Sequence, residues 1–129
     1  MPLASALKVL IVDDQNSVRQ MTRMTLGEIG IRLVHEADNG ATGFQTATLQ
    51  PIDLIISDFN MPEMDGLALL RAVRGHAAIR KLPFILLTGR GDRELVMKAA
   101  QAGVNNYLVK PFTTAILREK IEQVIGKLT

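Results

Sequence analysis

Along the chain, short and nearly unbroken apolar runs alternate with longer stretches whose apolar residues recur three or four positions apart. Residues 7–12 form the first run, with Leu7, Val9, Leu10, Ile11 and Val12. Apolar residues on consecutive positions predict a strand buried on both faces, as in a parallel sheet. Residues 16–29 take up the helical rhythm with Val18, Met21, Thr25 and Ile29, and Gly30 follows as a C-cap. Residues 32–37 predict a second, more polar strand suited to a sheet edge. Residues 41–49 predict a helix with Phe44 and Ala47 inward, stopped by Gln50-Pro51.

The third run covers residues 53–57, and Asp65 can cap the helix that follows over Leu67, Leu70 and Val73, with Gly75 closing it. A fourth strand over 82–88, a helix over 92–102 ended by Gly103, and a short strand over 106–109 come next. Thr113 or Thr114 then caps a last helix with Leu117, Ile121, Val124, Ile125 and Leu128 on one stripe. Five strand–helix units in strict alternation predict an α/β fold. Its form is a doubly wound, five-stranded parallel sheet with helices on both faces, because right-handed crossovers leave few other topologies.

Composition mainly excludes. A length of 129 residues fits one domain, expected to span 1–129. Hydrophobic residues at 47%, charged residues at 22% and a mean hydropathy of +0.17 exclude a disordered chain. No apolar run approaches the ~20 residues that span a bilayer. Residues 1–8 lack the basic and apolar regions of an export signal, which predicts a cytoplasmic protein. The absence of cysteine excludes disulfides, thiolate metal sites and a Cys nucleophile. A net charge of +2 gives no case for nucleic-acid binding. Its distribution is more informative: residues 1–65 carry four basic and nine acidic side chains, residues 66–129 eleven basic and four acidic. An acidic site built by the first half and a basic partner face on the second would produce this split.

Ligands of open α/β sheets bind beyond the carboxyl ends of the strands, so the residues just after each strand carry the chemistry. Those are Asp13-Asp14, Asp58, Thr88 and Lys110-Pro111; the second strand, ending at Ala37-Asp38, offers nothing comparable. Each has a plainer explanation: an Asp N-cap, a turn-forming Asp58, an ordinary strand-end Thr88, a solvated Lys110. Their coincidence at one sheet edge favours a site. Three carboxylates in one notch raise one another's pKa or bind a cation. An all-oxygen acidic pocket suits Mg²⁺. A facing lysine can offset the remaining charge and engage a phosphoryl group, and a carboxylate can carry that group covalently.

Four ordered segments resemble the CheY-like receiver domain of two-component response regulators over essentially the full length. They run from Val9 to Asp14, from Ser57 to Gly66 (Ser-Asp-Phe-Asn-Met-Pro-Glu-Met-Asp-Gly), from Leu86 to Gly89, and from Ala102 to Phe112. The resemblance implies the strand order 2-1-3-4-5 that this fold family shares. It implies that Asp58 is the phosphoacceptor, and that Asp13, Asp14, Asp58 and the backbone carbonyl of Asn60 hold Mg²⁺. Thr88 would hydrogen-bond the phosphoryl oxygen and Lys110 would pair with it, the Lys110–Pro111 peptide being usually cis in this family. Tyr107 would turn inward as Thr88 moves, switching the face of the fourth helix, fifth strand and last helix, which carries Arg93, Lys98, Arg118 and Lys120. The implied partners are a histidine kinase or histidine phosphotransfer protein and a downstream protein target, with no nucleic acid, no membrane insertion and a monomeric chain. Output would be chemotaxis-like or a phosphorelay shuttle. The domain would be a signalling switch, not an enzyme, catalysing only its own phosphorylation and dephosphorylation.

Two positions depart from the chemotaxis pattern: Gln15 stands where that protein has an aromatic residue, and Arg90 where it has an acidic one. Arg90, expected near the pocket mouth, bears on the output partner and on dephosphorylation. His35 and His76 are expected to be structural. A haloacid-dehalogenase-type phosphatase would need Asp-x-Asp after the first strand, and a flavodoxin-type FMN binder a Ser/Thr/Gly phosphate loop there; Asp13-Asp14 fits neither. A phosphorylation-independent scaffold or dimerisation module on the same fold is the remaining alternative.

Overall fold

The computed structural model describes residues 2–89 and 93–129. Among these, the apolar runs become β1 (Lys8–Val12), β2 (Leu33–Ala37), β3 (Leu54–Asp58), β4 (Phe84–Thr88) and β5 (Asn106–Val109). The helical stretches become α1 (Asn16–Ile29), α2 (Gly40–Leu49), α3 (Gly66–Gly75), α4 (Arg93–Gln101) and α5 (Thr114–Ile125). The strands pair in parallel in the order β2-β1-β3-β4-β5. The expected doubly wound sheet is therefore present, with the polar β2 at an edge.

The core forms on both faces because strand side chains alternate. Val9, Ile11, Leu54, Ile56, Ile85 and Leu87 pack with Leu26, Leu117 and Ile121 from α1 and α5. Leu10, Val12, Ile55, Phe84 and Leu86 point the other way, against Leu69, Leu70 and Val73 of α3, Ala47 of α2 and Ala99 of α4. Every residue of β3 and β4 is buried. These central strands deliver their last residues, Asp58 and Thr88, to one edge, Asp58 level with Leu87 and Thr88 one residue beyond.

Local signals set most boundaries. Asp65 accepts from the Ala68 amide and Thr113 from the Ile116 amide, as their N-cap positions predict. Gly30, at φ 102°, ends α1. β3 runs one residue further than its apolar run, through Asp58, while Asp53 instead accepts the Lys8 amide with its side chain. Gly75 closes α3 as expected, as its last residue, with His76 following as the cap. Two expectations are corrected. The inward face of α1 is Thr22, Leu26 and Ile29, whereas Met21 is 42% exposed. Thr22 can be buried because its hydroxyl donates to the Val18 carbonyl of its own helix. Leu128 lies beyond α5 yet is buried, its amide bonded to the Glu122 carboxylate. The expected helix start at Asp92 lies outside the described residues, as does Arg90.

Arg74 fastens the far end of the sheet. Its guanidinium donates to the carbonyls of Arg80, Leu82 and Gly103 and to Asn105 Oδ1, at 2.6–3.0 Å. Asn105 Oδ1 also accepts the Phe84 amide at the start of β4. Gly103 is required twice over: its φ is +93°, and a Cβ there would sit 3.1 Å from Arg74 Nε. Removing the guanidinium strips several carbonyls of charged donors at once. Arg74→Ala is expected to lower the unfolding free energy by roughly 2–4 kcal/mol, read from urea denaturation; a change below about 0.5 kcal/mol would show that water replaces these bonds.

Candidate functional site

The carboxyl ends of β1, β3, β4 and β5 bring together residues far apart in sequence. Asp13 and Asp14 follow β1, and carboxylate oxygens of Asp13, Asp14 and Asp58 lie within 4.8 Å of one another. Asp13 and Asp58 are buried and Asp14 is exposed, so the cluster opens to solvent on one side. Lys110, just after β5, places Nζ 2.8 Å from Asp58 Oδ1 and 4.0 Å from Asp13 Oδ2. Thr88 is buried at the end of β4, and its carbonyl accepts the Lys110 amide at 2.7 Å. The Lys110–Pro111 peptide is cis, as the family resemblance implies.

The plainer explanations for several of these residues fail. α1 has Gln15 at its cap position with no side-chain cap bond, so neither Asp13 nor Asp14 caps it. Asp58 ends a strand, with its carboxylate on an ammonium instead of a turn amide. Lys110 is mostly buried, at 21% side-chain exposure. Asn60 is exposed two residues beyond Asp58, and Gly89 is exposed beside Thr88. Tyr107 on β5 is half-buried, with Lys120 Nζ 5.2 Å from its ring centre. Lys98 pairs with Glu94 and Arg118 with Glu122 along their own helices, while Arg93 is exposed. His35 lies on β2, and His76 meets the Phe44 ring edge-on at 5.6 Å; both lie outside the cluster.

The loop carrying Asp58 depends on Gly66. The Gly66 amide donates to the Phe59 carbonyl, and a Cβ at Gly66 would collide with the Asp58 carbonyl. Sequence reasoning passed over a second support. Arg19 donates to the Asp13 carbonyl and pairs with Glu36 on β2, the strand set aside as chemically silent. Opposite charges at 19 and 36 were the available signal, but nothing local showed that they meet.

Asp13 is the most stressed group of the cluster. Burial raises its pKa above the usual 3.8; the Gln15 amide bond opposes this, Asp58 and Asp14 add to it, and Lys110 opposes it. Its Oδ1 accepts the Gln15 amide, but its buried Oδ2 has no hydrogen-bond partner. Three carboxylates against one ammonium leave about two unneutralised charges, and the donors are all oxygen. A divalent cation of the Mg²⁺ kind suits both the charge and the unpartnered oxygen.

A parallel sheet that gathers three carboxylates and an ammonium at its carboxyl edge is the arrangement that the resemblance to receiver domains implies. The chain belongs to the response regulator receiver domain family, whose model matches residues 9–122. It is 47% identical over 128 residues to a probable chemotaxis protein CheY of Rhizobium etli, covering 99% of each chain. It is 40% identical over 122 residues to the chemotaxis protein CheY of Pseudomonas aeruginosa, covering 95% of this chain and 98% of that one. Among solved structures, Vibrio cholerae chemotaxis protein CheY4 superposes with a TM-score of 0.85 at 36% identity, over 92% of this chain and 98% of that one. A putative response regulator from Chloroflexus aurantiacus reaches 0.88 at 31% identity, over 98% and 100%. The chain is thus a response regulator receiver domain similar to CheY proteins. Among the described residues no helix is long and apolar enough to cross a membrane.

The burial of Asp13 has a thermodynamic consequence. A carboxyl with a raised folded-state pKa costs nothing below the unfolded value near 3.8; the penalty grows as pH rises from there toward the raised value and is complete only above it. Asp13→Asn removes that penalty while leaving Lys110 on Asp58. In metal-free buffer at pH 7 it is expected to raise the thermal midpoint by roughly 4 °C, with the gain vanishing near pH 3.5. A lower midpoint at pH 7 would contradict the assignment of Asp13 as a strained buried anion.

Proposed function

We propose that residues 1–129 form one receiver domain in which Asp58 accepts a phosphoryl group from the phosphohistidine of a histidine kinase or a histidine phosphotransfer protein. The observation that carries this reading is the convergence of Asp13, Asp14 and Asp58 with Lys110 Nζ 2.8 Å from Asp58 Oδ1. An Asp58 carboxylate oxygen forms the new O–P bond as the P–N bond to the donor imidazole breaks. The imidazole nitrogen keeps the bonding pair and takes up a proton. Such a transfer needs positioning and charge neutralisation more than covalent help from the protein.

Asp13, Asp14, Asp58 and the Asn60 carbonyl would hold Mg²⁺, which when bound offsets charge on the phosphoryl oxygens. Lys110 moves its pairing from the Asp58 carboxylate to the incoming group, and the Thr88 hydroxyl donates to a phosphoryl oxygen. Water access on the Asp14 side then permits hydrolysis back to the free carboxylate, so the domain catalyses only its own phosphorylation and dephosphorylation.

The modification adds roughly −1.5 to −2 charges between the ends of β3, β4 and β5. Drawing Thr88 toward the phosphoryl group frees space that the half-buried Tyr107 ring fills, and the face of α4, β5 and α5 changes shape for a downstream protein target. The names of the CheY relatives support a chemotaxis-like output, a phosphorelay shuttle uses the same chemistry, and the domain acts as a cytoplasmic monomer.

Acetyl phosphate with Mg²⁺ is expected to add one phosphoryl mass, mapped to Asp58 and absent from Asp58→Asn. The same adduct in Asp58→Asn, or none in the native protein, would refute the assignment. Tyr107 is the sole tyrosine and the chain has no tryptophan, so its emission reports the switch directly. Phosphorylation is expected to change that emission. In Lys110→Ala the mass gain should persist while the emission change falls about tenfold, the equivalent of one charge-assisted bond; an undiminished change would remove Lys110 from the switch.

A further inference from the structure

Asp13 is held at three of its four polar atoms. Its amide donates to the Ala37 carbonyl of β2 at 3.1 Å, and its Oδ1 accepts the Gln15 amide at 2.9 Å. Its carbonyl accepts Arg19 Nη1 at 2.7 Å. Only Oδ2 is left over, and it is buried without a hydrogen-bond partner. The cluster therefore receives one carboxylate whose orientation is fixed by bonds that do not involve the cluster.

Arg19 ties this arrangement to the rest of the fold. Its side chain is 15% exposed, and its planar fork reaches three segments at once. Besides the Asp13 carbonyl, Nε pairs with Glu36 Oε1 on β2 at 3.1 Å, and Nη2 donates to Asn16 Oδ1 at the start of α1 at 3.1 Å. Glu36 is itself held by Arg23 Nε at 2.8 Å, and Arg23 continues to the Val34 carbonyl. Glu36 is shared between Arg19 and Arg23, and the group Arg19 touches next to the cluster is a peptide carbonyl. Its contact there is with the main chain, whereas the ammonium that meets the carboxylates is Lys110.

We propose that Arg19 is a positioning residue for the cation-binding step: it clamps the peptide between Asp13 and Asp14 against β2 and α1 so that Asp13 Oδ2 stays turned into the cluster. The inference rests on the reading of Asp13, Asp14 and Asp58 as a divalent-cation site. Partners of this kind, which orient a ligand without touching the ion, typically govern metal affinity by 10–100-fold.

The test is Mg²⁺ titration of the full chain, followed by calorimetry and by backbone amide NMR. Arg19→Ala is expected to bind Mg²⁺ about 10–100-fold more weakly than the native protein. In metal-free buffer its Gln15 amide should shift and exchange faster, because the Asp13 carboxylate it bonds is no longer fixed, while the Leu54 amide in the central sheet stays protected. Arg23→Ala, which loosens Glu36 but touches no Asp13 atom, should keep native affinity within about twofold; this control separates clamping from loss of stability at the β2 edge. Arg19→Lys should not restore affinity, since one ammonium cannot span three acceptors. Native affinity in Arg19→Ala or Arg19→Lys, or an equal loss in Arg23→Ala, would overturn the positioning role. A native protein whose Asp13, Asp14 and Asp58 amides ignore Mg²⁺ would instead overturn the cation site itself, and this inference with it.

Discussion

The ammonium of Lys110, 2.8 Å from Asp58, is the contact that makes the rest of the sheet edge possible. Two of the three clustered carboxylates are buried, and burial of like charges is costly without a counter-charge or a proton. One ammonium is enough to hold the arrangement together but not enough to neutralise it. The residual negative charge and the unpartnered Asp13 Oδ2 favour a bound cation, and under the proposed phosphorylation of Asp58 the same lysine would meet the incoming group. The site is thus tuned by incomplete compensation.

That tuning depends on a rigid support. β3 and β4 are buried throughout, so Asp58 and Thr88 inherit the precision of the core. The loops around them are restrained individually: Gly66 lets α3 approach the Asp58 carbonyl, Arg19 holds the Asp13 peptide, and the Thr88 carbonyl takes the Lys110 amide. At the opposite end, Arg74 ties the connections before β4 and β5 through main-chain carbonyls. Stability comes mainly from the apolar faces, and the polar contacts decide where a few side chains point.

The uneven charge of the two halves follows from this architecture. Asp13, Asp14 and Asp58 are three of the nine acidic side chains of residues 1–65, and they come together at one edge. In the second half, Lys98 and Arg118 are paired along their helices, whereas Lys120 lies over Tyr107. The Tyr107 ring packs against the core and takes a cation–π contact from Lys120, which at a partly exposed site is a weak restraint.

The strands, their parallel arrangement and most helix ends were legible because each leaves a local trace. A doubly buried strand is an apolar run, Asp65 and Thr113 cap the helices they precede, and Gly30 stops α1. The chemistry was legible too, because the carboxyl ends of parallel strands share one edge and the residues there can be read off in order. What the sequence could not determine were properties set by distant partners. Thr22 replaced Met21 on the inner face of α1 because its hydroxyl satisfies itself on its own helix, which hydrophobic periodicity does not register. Glu36 gained a role only when β2 lay beside β1 and brought it under Arg19. Leu128 is buried although it lies outside the helix whose stripe it continues, since its amide finds Glu122. Long flexible side chains choose partners by proximity in the folded chain, and that proximity exists only after the sheet has formed.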